Sequence, residues 1–191
     1  MALTEAIIIE GYRKLKGEWG ECKKCEIGCM AKHHVLYSGA YQSPVLFIGE
    51  GPGRDEDYHG QAFVGPAGRL LRRAIALSGF EPAKFSYTNL VACRPTDSLE
   101  GPNRAPTREE IFSCYARLIR ATELVAPKAL VLLGRTAEEW VPGSVIAGKT
   151  WLVLKHPAFI LRNGGENGSM FREWSRSLSA FLMEVCKWPD R

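Results

Sequence analysis

The sequence lacks an apolar run of the length that a membrane-spanning helix needs. Such a helix takes about 18 or more consecutive apolar residues, and no run in this 191-residue chain approaches that length. The first segment, MALTEAIIIEGYRKLKG, mixes charges into its apolar positions, unlike a signal peptide. We therefore expect no membrane span and no secretory leader, and a cytoplasmic location.

A strong charge imbalance, internal repeats and low-complexity segments are also absent. The chain has 25 Lys and Arg against 21 Asp and Glu, a formal net charge of +4, which permits a polyanionic partner without requiring one. Hydrophobic residues make up 46% of the chain, enough for one domain with a layered core. We expect residues 1–191 to form a single domain, with an N-terminal helix and a cysteine-rich loop within residues 1–30.

Apolar runs that suit buried strands alternate with stretches of helical periodicity. The predicted strands are Val45 to Gly49, Phe85 to Cys93, Ala129 to Gly134 and Trp151 to Leu154. The predicted helices are Leu3 to Lys16 (ended by Gly17), Pro66 to Leu77, Thr107 to Val125, Thr136 to Trp140 and a last one within Met170 to Val185. This alternation predicts an α/β fold with a mostly parallel four-stranded central sheet, covered by helices on both faces.

A glycine-rich loop, Gly49 to Gly53, follows the first predicted strand. It lacks the lysine and spacing of a phosphate-binding loop and the spacing of a dinucleotide fingerprint. Ligands of open α/β sheets nevertheless bind at such strand ends. Further along, the acidic triplet at 55–57 is more often a solvated face than a metal site, and Phe63 could stack on a flat ring.

Two more polar residues lie at predicted strand ends. Asn89 can offer both a donor and an acceptor to one ligand edge. His156 can donate a hydrogen bond to a developing anion or relay a proton, although a histidine satisfied within its own loop fits equally well. The segment from Phe159 to Asn163 is either core or an apolar wedge for a nucleic-acid stack.

Cysteine spacing indicates metal chemistry before disulfides in a reducing compartment. Four of the six cysteines have the pattern of ligands, with a C-x-x-C and two distant partners: Cys22, Cys25, Cys93 and Cys114. Four thiolates could hold tetrahedral zinc or an iron-sulfur cluster, and buried thiols without metal are the alternative. Cys29 could replace Cys25, whereas Cys186 is expected in the core.

Three segments stand out together with these cysteines: GEGPGRDEDYHGQAFVGPAGRLL from Gly49, TNLVACRP from Thr88 and HPAFILRN from His156. In their order and approximate spacing they resemble the iron-sulfur uracil-DNA glycosylases, family four of the uracil-DNA glycosylase superfamily. The resemblance implies a single three-layer α/β/α domain. It also implies that the four cysteines hold a structural four-iron four-sulfur cluster in place of zinc.

The resemblance further implies a monofunctional DNA-repair hydrolase that cleaves the N-glycosidic bond of uracil and leaves an abasic site. Its partner would be uracil-containing DNA, single- or double-stranded, and the enzyme would be a monomer. The alternative is a DNA-binding relative with altered base specificity or little activity. Arg54 and Ala158 favour that alternative, since they stand where the family commonly has a small or acidic residue and a serine.

Carried over by position, the resemblance assigns catalysis to Glu50 and His156. Glu50 or a backbone carbonyl would orient the attacking water, and His156 would stabilise the departing base. Phe63 would stack on the extruded uracil, Asn89 would read its polar edge, and Gly51 would bring backbone close to the base.

The remaining assignments concern DNA outside the base pocket. Ile160 falls where the family has a leucine that fills the gap left in the duplex. Five arginines are the expected phosphate contacts: Arg69, Arg72, Arg73, Arg94 and Arg162.

Overall fold

The computed structural model describes residues 5–186, which form a central sheet with helices on both faces. Its strands are β1 (Ser38–Gly39), β2 (Val45–Gly49), β3 (Ser86–Asn89), β4 (Ala129–Leu133) and β5 (Thr150–Leu154). They lie in the order β1-β3-β2-β4-β5. The four predicted strands are confirmed as neighbours in parallel pairing, so the α/β prediction is confirmed as well.

The sheet has five strands and not four, because β1 pairs antiparallel with β3 at one edge. By sequence, residues 33–41 fit either a short strand or an extended lead-in, and the structure has a two-residue strand within them. Strand β3 is also shorter than predicted. It ends at Asn89 because the next two N–H groups, of Leu90 and Val91, donate to the carbonyls of Gly49 and Glu50.

The α-helices in the described chain are α1 (Glu5–Trp19), α2 (Glu26–Met30), α3 (Arg54–His59), α4 (Pro66–Leu77), α5 (Arg108–Val125), α6 (Arg135–Trp140), α7 (Gly143–Ile146), α8 (Pro157–Arg162) and α9 (Ser169–Val185). Short 3-10 turns occupy Pro82–Lys84 and Gly165–Asn167. No helix within residues 5–186 is long and apolar enough to cross a membrane.

Two helix boundaries test the sequence signals. The predicted first residue of α1, Leu3, lies outside the described residues, and the predicted stop at Gly17 is wrong because the helix continues to Trp19, a buried residue. The predicted start of α5 is confirmed. Thr107 Oγ1 accepts from the Glu110 N–H at 3.3 Å, and Glu110 Oε2 accepts from the Thr107 N–H at 2.8 Å, a reciprocal capping box.

Side chains alternate across the central strands and create the two cores of a three-layer domain. Phe47 and Val131 point into the core on the side of α4 and α9, which also contains Cys186 as predicted. Ile48 and Leu130 belong to the core on the other side, with residues of α5 and α7. Because β2, β3, β4 and β5 are parallel, their carboxyl ends lie at one edge of the sheet, where the candidate site lies.

Candidate active site

A cleft of about 690 Å³ opens at the carboxyl ends of the parallel strands. It collects six of the predicted site residues from separate parts of the chain: Glu50, Gly51, Phe63, Asn89, His156 and Arg162. It also contains residues of the segment that follows β3, including Asn103 and Arg104. The structure thus brings together both predicted catalytic residues and all three predicted base-binding residues.

Phe63 lines the cleft in a backbone conformation that an aromatic residue rarely adopts. Its φ is 58°, in the left-handed region, where a bulky residue is strained. Its carbonyl accepts a 3.3 Å hydrogen bond from Arg72 Nε, and a Cβ at Gly68 would lie 2.0 Å from the same carbonyl oxygen. Arg72, which itself lies over the Tyr87 ring at 4.4 Å, therefore helps to hold Phe63 instead of being free for phosphate.

Asn89 is 2% exposed and lines the cleft, and its backbone carbonyl accepts a 2.6 Å hydrogen bond from Arg117 Nη2. The side chain sits beside Gly49, its neighbour in the sheet. A Cβ at Gly49 would lie 2.4 Å from Asn89 Oδ1 and 2.8 Å from Phe63 Cζ. Only glycine at this position leaves room for the amide and the ring together. The carboxamide lines the cleft, where its oxygen can accept and its nitrogen can donate a hydrogen bond to a ligand.

His156 is half-buried at the N-terminus of α8, and its imidazole is neutral. Burial, followed by the positive charge of Arg162, lowers its pKa from 6.5 to about 4. The Ala158 N–H donates to His156 Nδ1 at 3.2 Å, so Nδ1 carries no proton and Nε2 must carry it. Gly134 fixes the other side, since a Cβ there would lie 3.1 Å from His156 Cβ.

Glu50 is held by a residue that sequence reasoning missed. Thr136 Oγ1, in the first turn of α6, donates a hydrogen bond to Glu50 Oε2. The next residue, Gly51, has no space for a side chain because its Cβ would lie 2.9 Å from the Pro95 ring. Gly51 therefore offers only backbone to the cleft, and Glu50 supplies the carboxylate. Thr136 is the second residue of α6, and its partner Glu50 is 86 residues away in the chain.

In the acidic triplet at 55–57, the side chains of Glu56 and Asp57 accept backbone hydrogen bonds that hold the loop. Glu56 bridges the two ends of the loop, accepting from the Gly53 N–H at 3.1 Å and from the Gly65 N–H at 2.7 Å. Asp57 Oδ1 accepts from the Lys32 N–H at 3.0 Å, which ties the loop to the segment before β1. These bonds hold in place the loop that presents Phe63.

The burial of Ile160 contradicts its predicted role as the residue that enters the duplex. It is 0% exposed and belongs to the core on the side of α4 and α9. The segment is the helix α8 and not a loop, so its residues alternate between core and surface. Phe159 and Leu161, 38% and 36% exposed, are on the outer side, and Leu161 lines the cleft.

The burial and hydrogen bonds of Arg94 likewise contradict its predicted contact with phosphate. It is 5% exposed, and its guanidinium donates to Asn103 Oδ1 at 2.6 Å, to the Leu99 carbonyl at 3.0 Å and to the Gly101 carbonyl. Arg54 donates to the neighbouring Glu100 carbonyl at 2.8 Å. Both arginines hold residues 96–103 in place beside the cleft, which explains Arg54 without a DNA contact.

The other predicted phosphate contacts differ in how free they are. Arg73 Nε pairs with Glu166 Oε1 at 2.9 Å, and Arg69 Nη1 donates to the Val64 carbonyl at 3.0 Å. Arg162 is exposed, lines the cleft and has no acceptor among residues 5–186. Of the five arginines, Arg162 is thus the best placed for an anion at the cleft.

All four predicted ligand cysteines line a second, small cavity beneath α1: Cys22, Cys25, Cys93 and Cys114. Cys29 is exposed and lies away from it, so the alternative in which Cys29 replaces Cys25 is not supported. Burial raises the pKa of the Cys93 thiol, and the neighbouring thiols of Cys114 and Cys25 raise it further. Within residues 5–186, no three His, Cys, Asp or Glu side chains meet closely enough to hold a single metal ion.

The fold and the cleft define an α/β protein with an aromatic ring, a carboxamide and an imidazole gathered in one cleft at its strand ends. Residues 36–179 match the family model for the uracil DNA glycosylase superfamily. A type-4 uracil-DNA glycosylase of Archaeoglobus fulgidus is 38% identical over 160 residues, 73% of this chain and 78% of that protein.

Two other type-4 uracil-DNA glycosylases are similar. That of Sulfurisphaera tokodaii is 35% identical over 134 residues, 70% of this chain and 59% of that protein. That of Pyrobaculum aerophilum is 33% identical over 181 residues, 84% of this chain and 88% of that protein. The chain belongs to the uracil-DNA glycosylase superfamily.

Proposed function

We propose that this chain is an enzyme that removes uracil from DNA by hydrolysing the N-glycosidic bond, leaving an abasic site. The observation that carries the proposal is one cleft lined by an aromatic ring, a carboxamide and a neutral imidazole: Phe63, Asn89 and His156. The names of the type-4 relatives support uracil in DNA as the substrate.

Phe63 and Asn89 recognise the base in this proposal. A base inside a duplex must leave the stack before an enzyme can act on it. The Phe63 ring then replaces part of the lost stacking. The Asn89 oxygen accepts from the uracil N3–H, and its nitrogen donates to the adjacent carbonyl. Cytosine presents the reverse pattern, an acceptor at N3 and a donor beside it, so the same amide orientation rejects it.

His156 stabilises the leaving base. Breaking the bond gives a sugar with oxocarbenium character and a uracil anion, so a donor aimed at the base oxygen lowers the barrier. A neutral imidazole with its proton on Nε2 is such a donor. The hydrogen bond from the Ala158 N–H to Nδ1 and the low pKa support this protonation state.

Glu50 orients the water that attacks the sugar. Its carboxylate lines the cleft, and the bond from Thr136 fixes one oxygen, which leaves the other for the water. Outside the base pocket, Leu161 fills the gap in the duplex in place of Ile160, and Arg162 contacts phosphate. Their exposure at the cleft supports both roles.

The cysteines hold a four-iron four-sulfur cluster with a structural role. The donor set fits, since four thiols line one cavity and a cluster of this kind takes four cysteine thiolates. The four sulfurs would not need to meet at one point as around a single ion. Cys22 and Cys25, after α1, would be crosslinked to Cys114 on α5 through the cluster, which would have a structural role only.

The test is base release from oligonucleotides that carry one uracil, thymine or cytosine, single-stranded and duplex. Iron-loaded protein is expected to release free uracil alone and to leave a strand that breaks only on alkaline treatment. Mass spectrometry of the released base and gel analysis of the strand measure this. A protein that binds these strands but releases no uracil would contradict the proposal and support the DNA-binding alternative.

A separate measurement addresses the cluster. About four irons per chain and a brown, thiolate-to-iron absorption are expected. A colourless protein that contains zinc would contradict the proposed iron-sulfur cluster.

A further inference from the structure

Two buried N–H groups have no acceptor among residues 5–186: Trp19 Nε1 and Arg117 Nε. Buried donors are nearly always paired, so each exception calls for a physical reason. Both groups belong to the same region. Trp19 lines the cysteine cavity, and Arg117 interacts electrostatically with the thiols of Cys114 and Cys93.

Arg117 is a buried charge without a carboxylate partner in the described chain. It is 0% exposed and lies three residues after Cys114 on α5. Its two terminal nitrogens donate to four oxygens: Thr88 Oγ1 at 2.8 Å and the carbonyls of Leu36 at 3.3 Å, Asn89 at 2.6 Å and Leu90 at 2.7 Å. These acceptors are neutral, and the groups that favour the charged guanidinium are the neighbouring thiols of Cys114 and Cys93. A buried charge of this kind needs an anion close by.

We propose that Trp19 and Arg117 form the second coordination layer of the group bound by the four cysteines. The inference rests on the proposed cluster, which with four thiolates is an anion. Trp19 Nε1–H and Arg117 Nε–H donate hydrogen bonds to its sulfur atoms, and the Arg117 guanidinium offsets its negative charge. Hydrogen bonds to sulfur and nearby charge are what set the retention and reduction potential of such clusters.

Arg117 also links the cysteine region to the cleft. The guanidinium that adjoins Cys114 holds the carbonyls of Asn89 and Leu90, at the end of the strand that carries the base-reading carboxamide. Arg117 is therefore a positioning residue for Asn89.

The test compares Trp19→Phe with Trp174→Phe in iron-loaded protein. Trp174 is a matched control. It is buried in the core on the side of α4 and α9, and its Nε1 donates to the Lys155 carbonyl at 2.9 Å. Iron loss to a chelator is expected to be on the order of tenfold faster in Trp19→Phe. The reduction potential of its cluster is expected to shift to a more negative value, because a donor that stabilises the reduced form is lost. Trp174→Phe should match the wild type in both measurements.

Several results would overturn the inference. If Trp19→Phe lost iron at the wild-type rate and had the wild-type reduction potential, the inference would be wrong, but the proposal of a cluster would stand. Equal changes in both tryptophan variants would indicate a general packing effect. A wild-type protein without iron would overturn the proposed cluster and the inference with it. Arg117→Lys provides a second variant, which keeps the charge but loses Nε–H. It is expected to lose iron faster and to raise KM for uracil-containing strands more than it lowers kcat.

Discussion

The cleft and the cysteine cavity both contain polar side chains that can bind a further group, but they differ in access. In the cleft, the Asn89 carboxamide and the His156 imidazole adjoin open space of about 690 Å³. At the cysteine cavity, the unpaired N–H groups of Trp19 and Arg117 are closed off by packing. An open polar group suits a ligand that arrives and leaves, whereas a closed one suits a group that stays. Substitutions in the first region should change activity, and substitutions in the second should change iron content and stability.

The largest effect is expected for Cys93→Ser. Loss of a buried cluster ligand should abolish iron binding and leave a poorly folded protein, because the crosslink between the segment after α1 and α5 is lost. Iron per chain and the urea midpoint measure this. Cys29→Ser, an exposed cysteine away from the cavity, is the control and should match the wild type. A well-folded, fully active Cys93→Ser protein would remove the distinction between the two regions.

Gly49→Ala should disturb the cleft and spare the cysteines. The new Cβ would collide with the Asn89 amide and the Phe63 ring, and displacement of such groups costs on the order of 100-fold in rate. Iron content should not change. Gly17→Ala in α1 is the control, since nothing lies within 4 Å of its Cβ, and it should add about 0.5–1 kcal/mol of stability. Equal uracil-release rates in Gly49→Ala and the wild type would show that the amide and ring do not need this geometry.

Leu161 and Ile160 separate surface from core within a single helix. Leu161→Ala should slow uracil release from duplex DNA more than from single strands, because only a duplex leaves a gap to fill. Ile160→Ala should cost about 2–5 kcal/mol of stability as a cavity in the core and slow both substrates alike. Rates on both substrates and urea unfolding test the pair. The opposite pattern would restore Ile160 as the wedge.

Arg162 and Arg94 should differ in the salt dependence of DNA binding, the smallest effect. Arg162→Ala should reduce the slope of log K against log salt by about 1, as expected for one lost phosphate contact. Arg94→Ala should leave the slope unchanged, because its guanidinium is used by residues 96–103. Fluorescence anisotropy over a range of salt concentrations measures both. A lower slope in Arg94→Ala would contradict the assignment.

Sequence patterns predicted the parallel sheet because most of its strands are apolar runs, and they placed Glu50 and His156 after a strand and Asn89 near the end of one. Glu50, Asn89 and His156 meet at one sheet edge for that reason. The two-residue β1 carried too little pattern to separate a short strand from an extended lead-in within residues 33–41.

Other features depend on tertiary contacts that no local pattern encodes. Ile160 and Arg94 were misassigned because the direction of a side chain follows from the packing of α8 and of residues 96–103. Thr136 and Arg117 were missed because their partners are distant in the chain, 86 residues for the bond from Thr136 to Glu50 and 28 for that from Arg117 to Asn89. The cysteine spacing identified a ligand set but could not indicate which donors surround it.

The most direct test of the cleft is the single-turnover rate of uracil release by the wild type and His156→Ala between about pH 5 and pH 8. Because the pKa of His156 is about 4, the neutral donor persists over this range, and its contribution to the wild-type rate should stay level. His156→Ala should be slower by about 100- to 1000-fold, while His59→Ala, an exposed histidine outside the cleft, should match the wild type. A wild-type rate that changes with an inflection near pH 6.5, or a His156→Ala variant as fast as the wild type, would contradict the account.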